Sequence, residues 1–145
     1  MGTRCKIELY HHGYCTPEME EENYRPFERT FVYRWMDSFP SVIFSDLLEL
    51  KMESDQEEYN GIIILAMQLF YRGGYYPHYE EFDTRDQSYA MRNVLDYTYE
   101  VHIREKTPRD KKPEWSLTIK RSSELETILE ETKFEDIRIK KIREL

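Results

Sequence analysis

The sequence predicts a single α+β domain, an antiparallel sheet of four to five strands with two to three helices packed on one face. Three observations predict it. Apolar and polar residues alternate with period two over Arg4–Tyr10, Arg29–Met36 and Leu95–Arg104. Apolar residues recur at helical spacing over Pro40–Leu50 and Tyr59–Phe70. The 145 residues contain no internal repeat and no linker-like stretch, and the length suits one domain with its own core. Runs of strands beside runs of helices are the pattern of an α+β layer architecture.

In chain order, Cys5, Ile7 and Leu9 share one face of the first strand, and Lys6, Glu8 and Tyr10 the other. "HHGYCTPEMEEENYRP" is charged, holds Gly13, Pro17 and Pro26, and reads as a long exposed loop. The second strand sets Phe31, Tyr33 and Trp35 on its inner face and pairs with the first as an antiparallel hairpin. Pro40 then opens a helix, because proline costs nothing at the first helical position, where the N–H is unpaired anyway. Ile43, Phe44, Leu47 and Leu48 form its stripe. "ESDQEE" ends that helix, and Ser54 or Asp55 caps the next. The next helix is apolar nearly all round, including Ile63, Ile64 and Met67, and reads as the central buried helix. Gly73-Gly74 stops it. A long loop over 75–93 leads to the clearest strand, Leu95–Arg104. Its inner face is Leu95, Tyr97, Tyr99, Val101 and Ile103. A basic turn, "EKTPRDKKPE", leads to a strand with Trp115, Leu117 and Ile119 inside. Ser122 or Ser123 starts a helix carrying Leu125, Ile128 and Leu129, and the tail is a last strand or more helix.

Composition bounds the function. The formal net charge is −8, which disfavours phosphate backbones and suits a basic protein partner. The cationic cluster Arg104–Lys112 reads as a solvated hairpin turn, so the expectation is a protein partner without direct nucleic-acid binding. The most apolar run, Ile62–Met67, is far short of the ~20 residues a membrane span needs. With two cysteines and no secretory signal, the expected setting is the cytoplasm.

The chemistry-bearing residues give no signature of catalysis. Cys5, His11, His12 and Cys15 do not have zinc-site spacing, so no metal or other cofactor is expected. Cys15 near His11 and His12 is the one local cysteine–histidine grouping, without a known catalytic pattern around it. Gly73-Gly74 follows a helix, which excludes a phosphate-binding loop. "YYPHYEEFDTRD" gathers Tyr75, Tyr76, His78, Tyr79, Asp83 and Arg85. Such residues give large contact area at low entropic cost, so this loop is the predicted binding segment. Arg34 and Asp37 join it. Asp37 and Pro40 have local duties in turn and helix start, whereas Arg34 is left without one and suits an anionic group.

"MGTR" at the start, "YRWMDSFP" over Tyr33–Pro40 and "DYTYEVHI" over Asp96–Ile103 carry a resemblance. The chain resembles a family of small uncharacterised phage and bacterial proteins. Its members begin Met-Gly-Thr-Arg, carry a strand ending near Tyr-Arg-His-Trp-Asp-Gly-Tyr-Pro before a helix, and have a late Tyr-x-Tyr-x-Ile/Val strand. Tyr33, Arg34, Asp37 and Pro40 match, while Trp35, Met36, Ser38 and Phe39 depart from the pattern. The resemblance implies a phage or mobile-element setting and no mechanism. The expected function is an acidic interaction protein that binds a host protein, inhibition of a defence nuclease being one form. The alternative is a small enzyme or nucleotide-binding protein with a pocket near Arg34, Asp37 and the Tyr75–Asp86 loop.

Overall fold

A computed structural model describes residues 3–77, 95–121 and 126–145. One mixed sheet of six strands carries the fold, in the order β3-β2-β1-β4-β5-β6. The strands are β1 (Cys5–His12), β2 (Phe27–Arg34), β3 (Tyr75–Tyr76), β4 (Tyr97–Arg104), β5 (Glu114–Arg121) and β6 (Glu126–Lys133). Among the described residues there are four α-helices: α1 (Pro17–Glu21), α2 (Pro40–Glu57), α3 (Ile62–Arg72) and α4 (Ile139–Arg143). The α+β class and the β1–β2 antiparallel hairpin are as the sequence predicts. The sheet is not purely antiparallel. β1 and β4 run parallel along their whole length, from Cys5 opposite Tyr97 to His12 opposite Arg104. Strand periodicity carries no information about direction, so this pairing is invisible locally.

The core lies between one sheet face and the helices. Cys5, Ile7, Leu9, Val32, Tyr99, Val101, Ile103, Trp115, Leu117 and Ile119 meet Ile43, Phe44, Leu47, Leu50, Leu65 and Leu69. Burial pushes the Cys5 thiol up to about 12, which leaves it an inert core group at neutral pH. Val32, not its neighbours, is the β2 residue that faces this core. Phe31, Tyr33 and Trp35 pack with Leu95 on the opposite face of the sheet. The register against β1, in which Ile7 lies opposite Val32, decides which alternate set turns inward.

Four further elements differ from expectation, and the tail takes its helical alternative. α2 runs straight through "ESDQE" to Glu57, because that stretch contains good helix formers and no Gly or Pro. Lys51 and Asp55, one turn apart, close an ion pair of 2.7 Å that supports it. α3 therefore starts later, at Ile62, after Gly61 at φ 98. Ile128 and Leu129 lie in strand β6 rather than a helix, while Ser122, Ser123 and Leu125 lie outside the described residues. The β-branched Thr127, Ile128 and Thr132 suit a pleated edge, and pairing to β5 outweighs the helical spacing. The tail forms a 3-10 turn at Phe134–Asp136 and then α4, whose Ile142 is buried in the core. The loop over 11–26 is shorter than predicted, since β1 reaches His12 and Thr16 caps α1 through a 3.2 Å bond from the Met19 N–H.

The largest correction concerns α3. It is not a central buried helix. Ile62, Leu65, Ala66 and Leu69 are buried, but Ile63 is 57% exposed, Met67 43% and Tyr71 85%. Ile63 also sits in the first turn, where a carboxylate is favoured by the helix dipole. Ile63→Asp is therefore expected to shift stability by no more than about 0.5 kcal/mol. Leu69→Ala, at a fully buried position, is expected to cost about 2–5 kcal/mol. Denaturant midpoints of the two variants check this, and an unfolded Ile63→Asp protein would contradict it.

Candidate functional site

The predicted site residues begin at the corner between β2 and α2. Arg34, paired opposite Cys5 and Tyr75, leans onto the core side of the sheet. Its Nε–H donates to the Met36 carbonyl at 2.9 Å, and its guanidinium lies 4.8 Å from the centre of the Tyr75 ring. The Tyr75 hydroxyl in turn donates to Asp46 at 2.5 Å. Burial and the bond to Asp46 raise the Tyr75 pKa, so the phenol stays neutral. Gly74, at φ +83, makes this stack possible, since a Cβ there would stand 3.0 Å from Arg34 Nη1. Arg34 thus has the structural duty the sequence did not show: it ties the corner to β3.

Asp37 is exposed at φ 52, and no hydrogen bond or ion pair joins it to Arg34. Tyr76 stands edge-on to Trp35, with ring centres 5.8 Å apart. His78, Tyr79, Asp83 and Arg85 lie outside the described residues. The residue that holds the corner is Ser38, one of the positions that depart from the family pattern, and it is fully buried. Its N–H donates to Thr3 Oγ1 at 2.7 Å, and its carbonyl accepts from the Tyr99 hydroxyl at 2.6 Å. No local signal marks Ser38, because its partners are 35 and 61 residues away.

Two other places gather unusual side chains. The first is the solvent side of α3. Ile63, Ile64, Met67 and Tyr71 recur at spacings of three and four, which puts them on one exposed side. Beside them, a shallow depression of about 410 Å³ lies between α2 and α3, lined by Glu49, Glu53, Gln68, Tyr71 and Arg72. Arg72 bonds both acids, at 2.6 Å to Glu49 and 3.1 Å to Glu53. The bond to Glu49 raises the Arg72 pKa, and two carboxylates facing one guanidinium leave the rim negative.

The second place is the end of the sheet where β1 and β4 finish side by side. His11 is held on both nitrogens, Nδ1 by the Tyr59 hydroxyl at 2.6 Å and Nε2 by Glu105 at 2.9 Å. A cleft of about 500 Å³ opens beside them, bounded also by Glu57, Gly61 and Arg109. His12 points to the other sheet face, where its Nε2 meets His102 Nδ1 at 2.9 Å. Both imidazoles are therefore engaged away from Cys15, whose thiol donates to the Tyr24 carbonyl at 3.5 Å.

Two lysines of the predicted basic turn are held by acids. Lys106 pairs with Glu114 at 2.9 Å and Lys111 with Glu58 at 3.1 Å. The Asp110 carboxylate accepts from the Lys106 and Lys112 N–H groups, both at 3.0 Å. Among the described residues, no helix is long and apolar enough to cross a membrane.

No family model matches the chain, and no curated protein or solved structure does so either.

Two outcomes follow from this geometry. Arg34→Ala removes a stacked cation and a charged hydrogen bond, and is expected to cost about 1–2 kcal/mol in urea denaturation. Arg34→Lys should restore little of it, since an ammonium offers neither the planar stack nor the Nε–H. The histidine pair makes stability depend on pH. Burial, then Arg104 and His102, push His12 down to about 4, and burial lowers His102 as well. A base whose folded pKa is depressed binds protons better when unfolded. Its contribution is complete above the ordinary imidazole value of about 6.5 and is lost as the pH falls toward 4. The denaturation midpoint of the wild type should drop across that window more steeply than that of His12→Asn, and equal slopes would contradict the assignment.

Proposed function

We propose that this chain is an acidic interaction protein that binds a host protein through the exposed side of α3. The observation that carries the reading is the apolar ridge Ile63, Met67 and Tyr71 on a helix whose opposite side already fills the core. Exposed apolar residues scattered singly are ordinary, but an aligned set of isoleucine, methionine and tyrosine with a charged rim has the anatomy of an interface. Glu49 and Glu53 on that rim call for cations on the partner. A nucleic-acid-binding surface is basic, so inhibition of a defence nuclease is one form the function takes. The phage or mobile-element setting implied by the resemblance at Tyr33–Pro40 is consistent with it.

The reading is tested by affinity capture from a bacterial lysate with wild type and Met67→Asp in parallel, followed by titration of the recovered protein. Tyr71→Ala is expected to weaken binding by about 2 kcal/mol, the usual threshold for a hot spot. Binding should weaken as salt rises through the physiological range, where exposed charges are screened beyond about 8 Å. Equal recovery of the same partner by wild type and Met67→Asp would sink the reading. So would sedimentation showing that the ridge only joins two copies of this chain.

A further inference from the structure

The cleft at the end of β1 and β4 is separate from the α3 ridge and has no part in the function proposed for it. Its wall holds three side chains in series, Glu105 from the turn after β4, His11 from β1 and Tyr59 from the α2–α3 connection. Each link is short, 2.9 Å and then 2.6 Å. The Tyr59 and His11 rings also stack, with centres 5.6 Å apart and planes 14° apart, which fixes the imidazole orientation. Glu105 is itself anchored: its N–H donates to the His12 carbonyl at 2.9 Å, and its second carboxylate oxygen accepts from the Asp110 N–H at 3.0 Å. A neutral His11 that donates Nε2–H to Glu105 has its lone pair on Nδ1, facing the Tyr59 hydroxyl. A hydroxyl within reach of a base that a third group orients is the general arrangement of an activated nucleophile.

We propose that Tyr59 is a nucleophile that accepts an acyl group from an ester carrying a positive charge, with His11 as its general base and Glu105 as the positioning residue. In the step, a bond forms between Tyr59 Oη and the acyl carbon while the ester carbon–oxygen bond breaks. The phenol proton passes to His11 Nδ1 and from there to the departing alkoxide, leaving an acyl-tyrosine. No oxidant or further reactant is needed. Burial, with Glu105 and Glu28 nearby, raises the Tyr59 pKa. The hydroxyl is therefore neutral at rest and gives up its proton only as the attack proceeds. Gly61 lines the same cleft and is the N-cap of α3, where no side chain caps the helix. The charge of the cleft selects the substrate class. Glu57, Glu58 and Asp110 outnumber Arg109 and Lys111, so a phosphate ester is disfavoured and a cationic ester is favoured.

The test uses a benzenesulfonyl fluoride bearing an aminoethyl tail, which reports tyrosine nucleophilicity directly. The Tyr59 oxygen–sulfur bond forms, the sulfur–fluorine bond breaks, fluoride leaves and the proton goes to His11. Peptide mapping by mass spectrometry on the intact chain should show Tyr59 modified faster than Tyr71, which is 85% exposed and serves as the reference. His11→Gln should slow Tyr59 at least about tenfold, the low side of what a positioned base contributes. Glu105→Gln should slow it less and shift its pH–rate profile, which loss of packing alone would not do. The uncharged benzenesulfonyl fluoride should react more slowly than the cationic probe. Tyr59 modified no faster than Tyr71 would overturn the proposal, as would an unchanged rate in a folded His11→Gln protein. If His11→Gln does not fold, the wild-type ratio of Tyr59 to Tyr71 decides alone. Equal rates for the two probes would overturn the cationic substrate class.

Discussion

The parallel pairing of β1 with β4 is the constraint on which the rest of the structure depends. Two parallel neighbours cannot be joined by a tight turn, so the chain between them must cross over. Here the crossover contains β2, α2, α3 and β3. β2 folds back on one edge of β1 while β4 takes the other, and β1 becomes an interior strand with Cys5, Ile7 and Leu9 fully buried. The two longer helices of the crossover then cover one face of the strands they connect. Parallel strands also finish at the same end of the sheet. That is why His11 and Glu105, the one near the end of β1 and the other just past β4, stand 2.9 Å apart and share a cleft.

The corner after β2 shows how the crossover is held against the sheet. Ser38 is at the point where the chain leaves the strand layer for the helix layer. A buried backbone there must find partners or lose the cost of desolvation. Thr3 supplies the acceptor for its N–H and Tyr99, from β4, the donor for its carbonyl. The second bond joins the start of α2 to the strand that makes the parallel pair. Arg34 secures the same corner from the other side by stacking on Tyr75 of β3. Both the first and the last strand of the crossover are thereby tied to its turn into α2.

Local periodicity made β1, β2, β4 and β5, the two long helices and the Gly73-Gly74 stop legible, because each is written in spacing over a few residues. What it missed depends on partners far along the chain. The inward set of β2 is Val32 rather than Tyr33 because of register with β1, which alternation alone leaves open. Ile128 and Leu129 fit helical spacing as well as a strand, and only β5 decides between them. The candidate site was less legible still. Arg34 stood out for having no visible duty, yet its partner Tyr75 is on a two-residue strand too short to read as one. His11 was noticed for its neighbour Cys15. Its actual partner is Tyr59, 48 residues on, which the helical pattern had absorbed into the core of the next helix.

The distribution of charge gives the net value of −8 its meaning. Many cations of the sheet and the β4–β5 turn face an acid at contact distance, as in Lys6–Glu8 at 2.8 Å, Lys120–Glu100 at 2.9 Å and Arg104–Glu131 at 2.8 Å. Pairs of this kind cancel locally and leave little field beyond a Debye length. The surplus acids are felt where they are not matched. One such place is α1, where Glu18, Glu20 and Glu21 have Arg25 as a distant partner, 3.6 Å from Glu20. Another is the α2–α3 edge, where Asp46, Glu49 and Glu53 all act on Arg72. At that edge the unmatched charge adjoins the exposed isoleucine, methionine and tyrosine of α3. Charge alone would attract any cation, and an apolar ridge alone would invite self-association. On the proposed reading, the two together favour a partner with an apolar patch bordered by lysine or arginine, and disfavour a second copy of the same acidic surface.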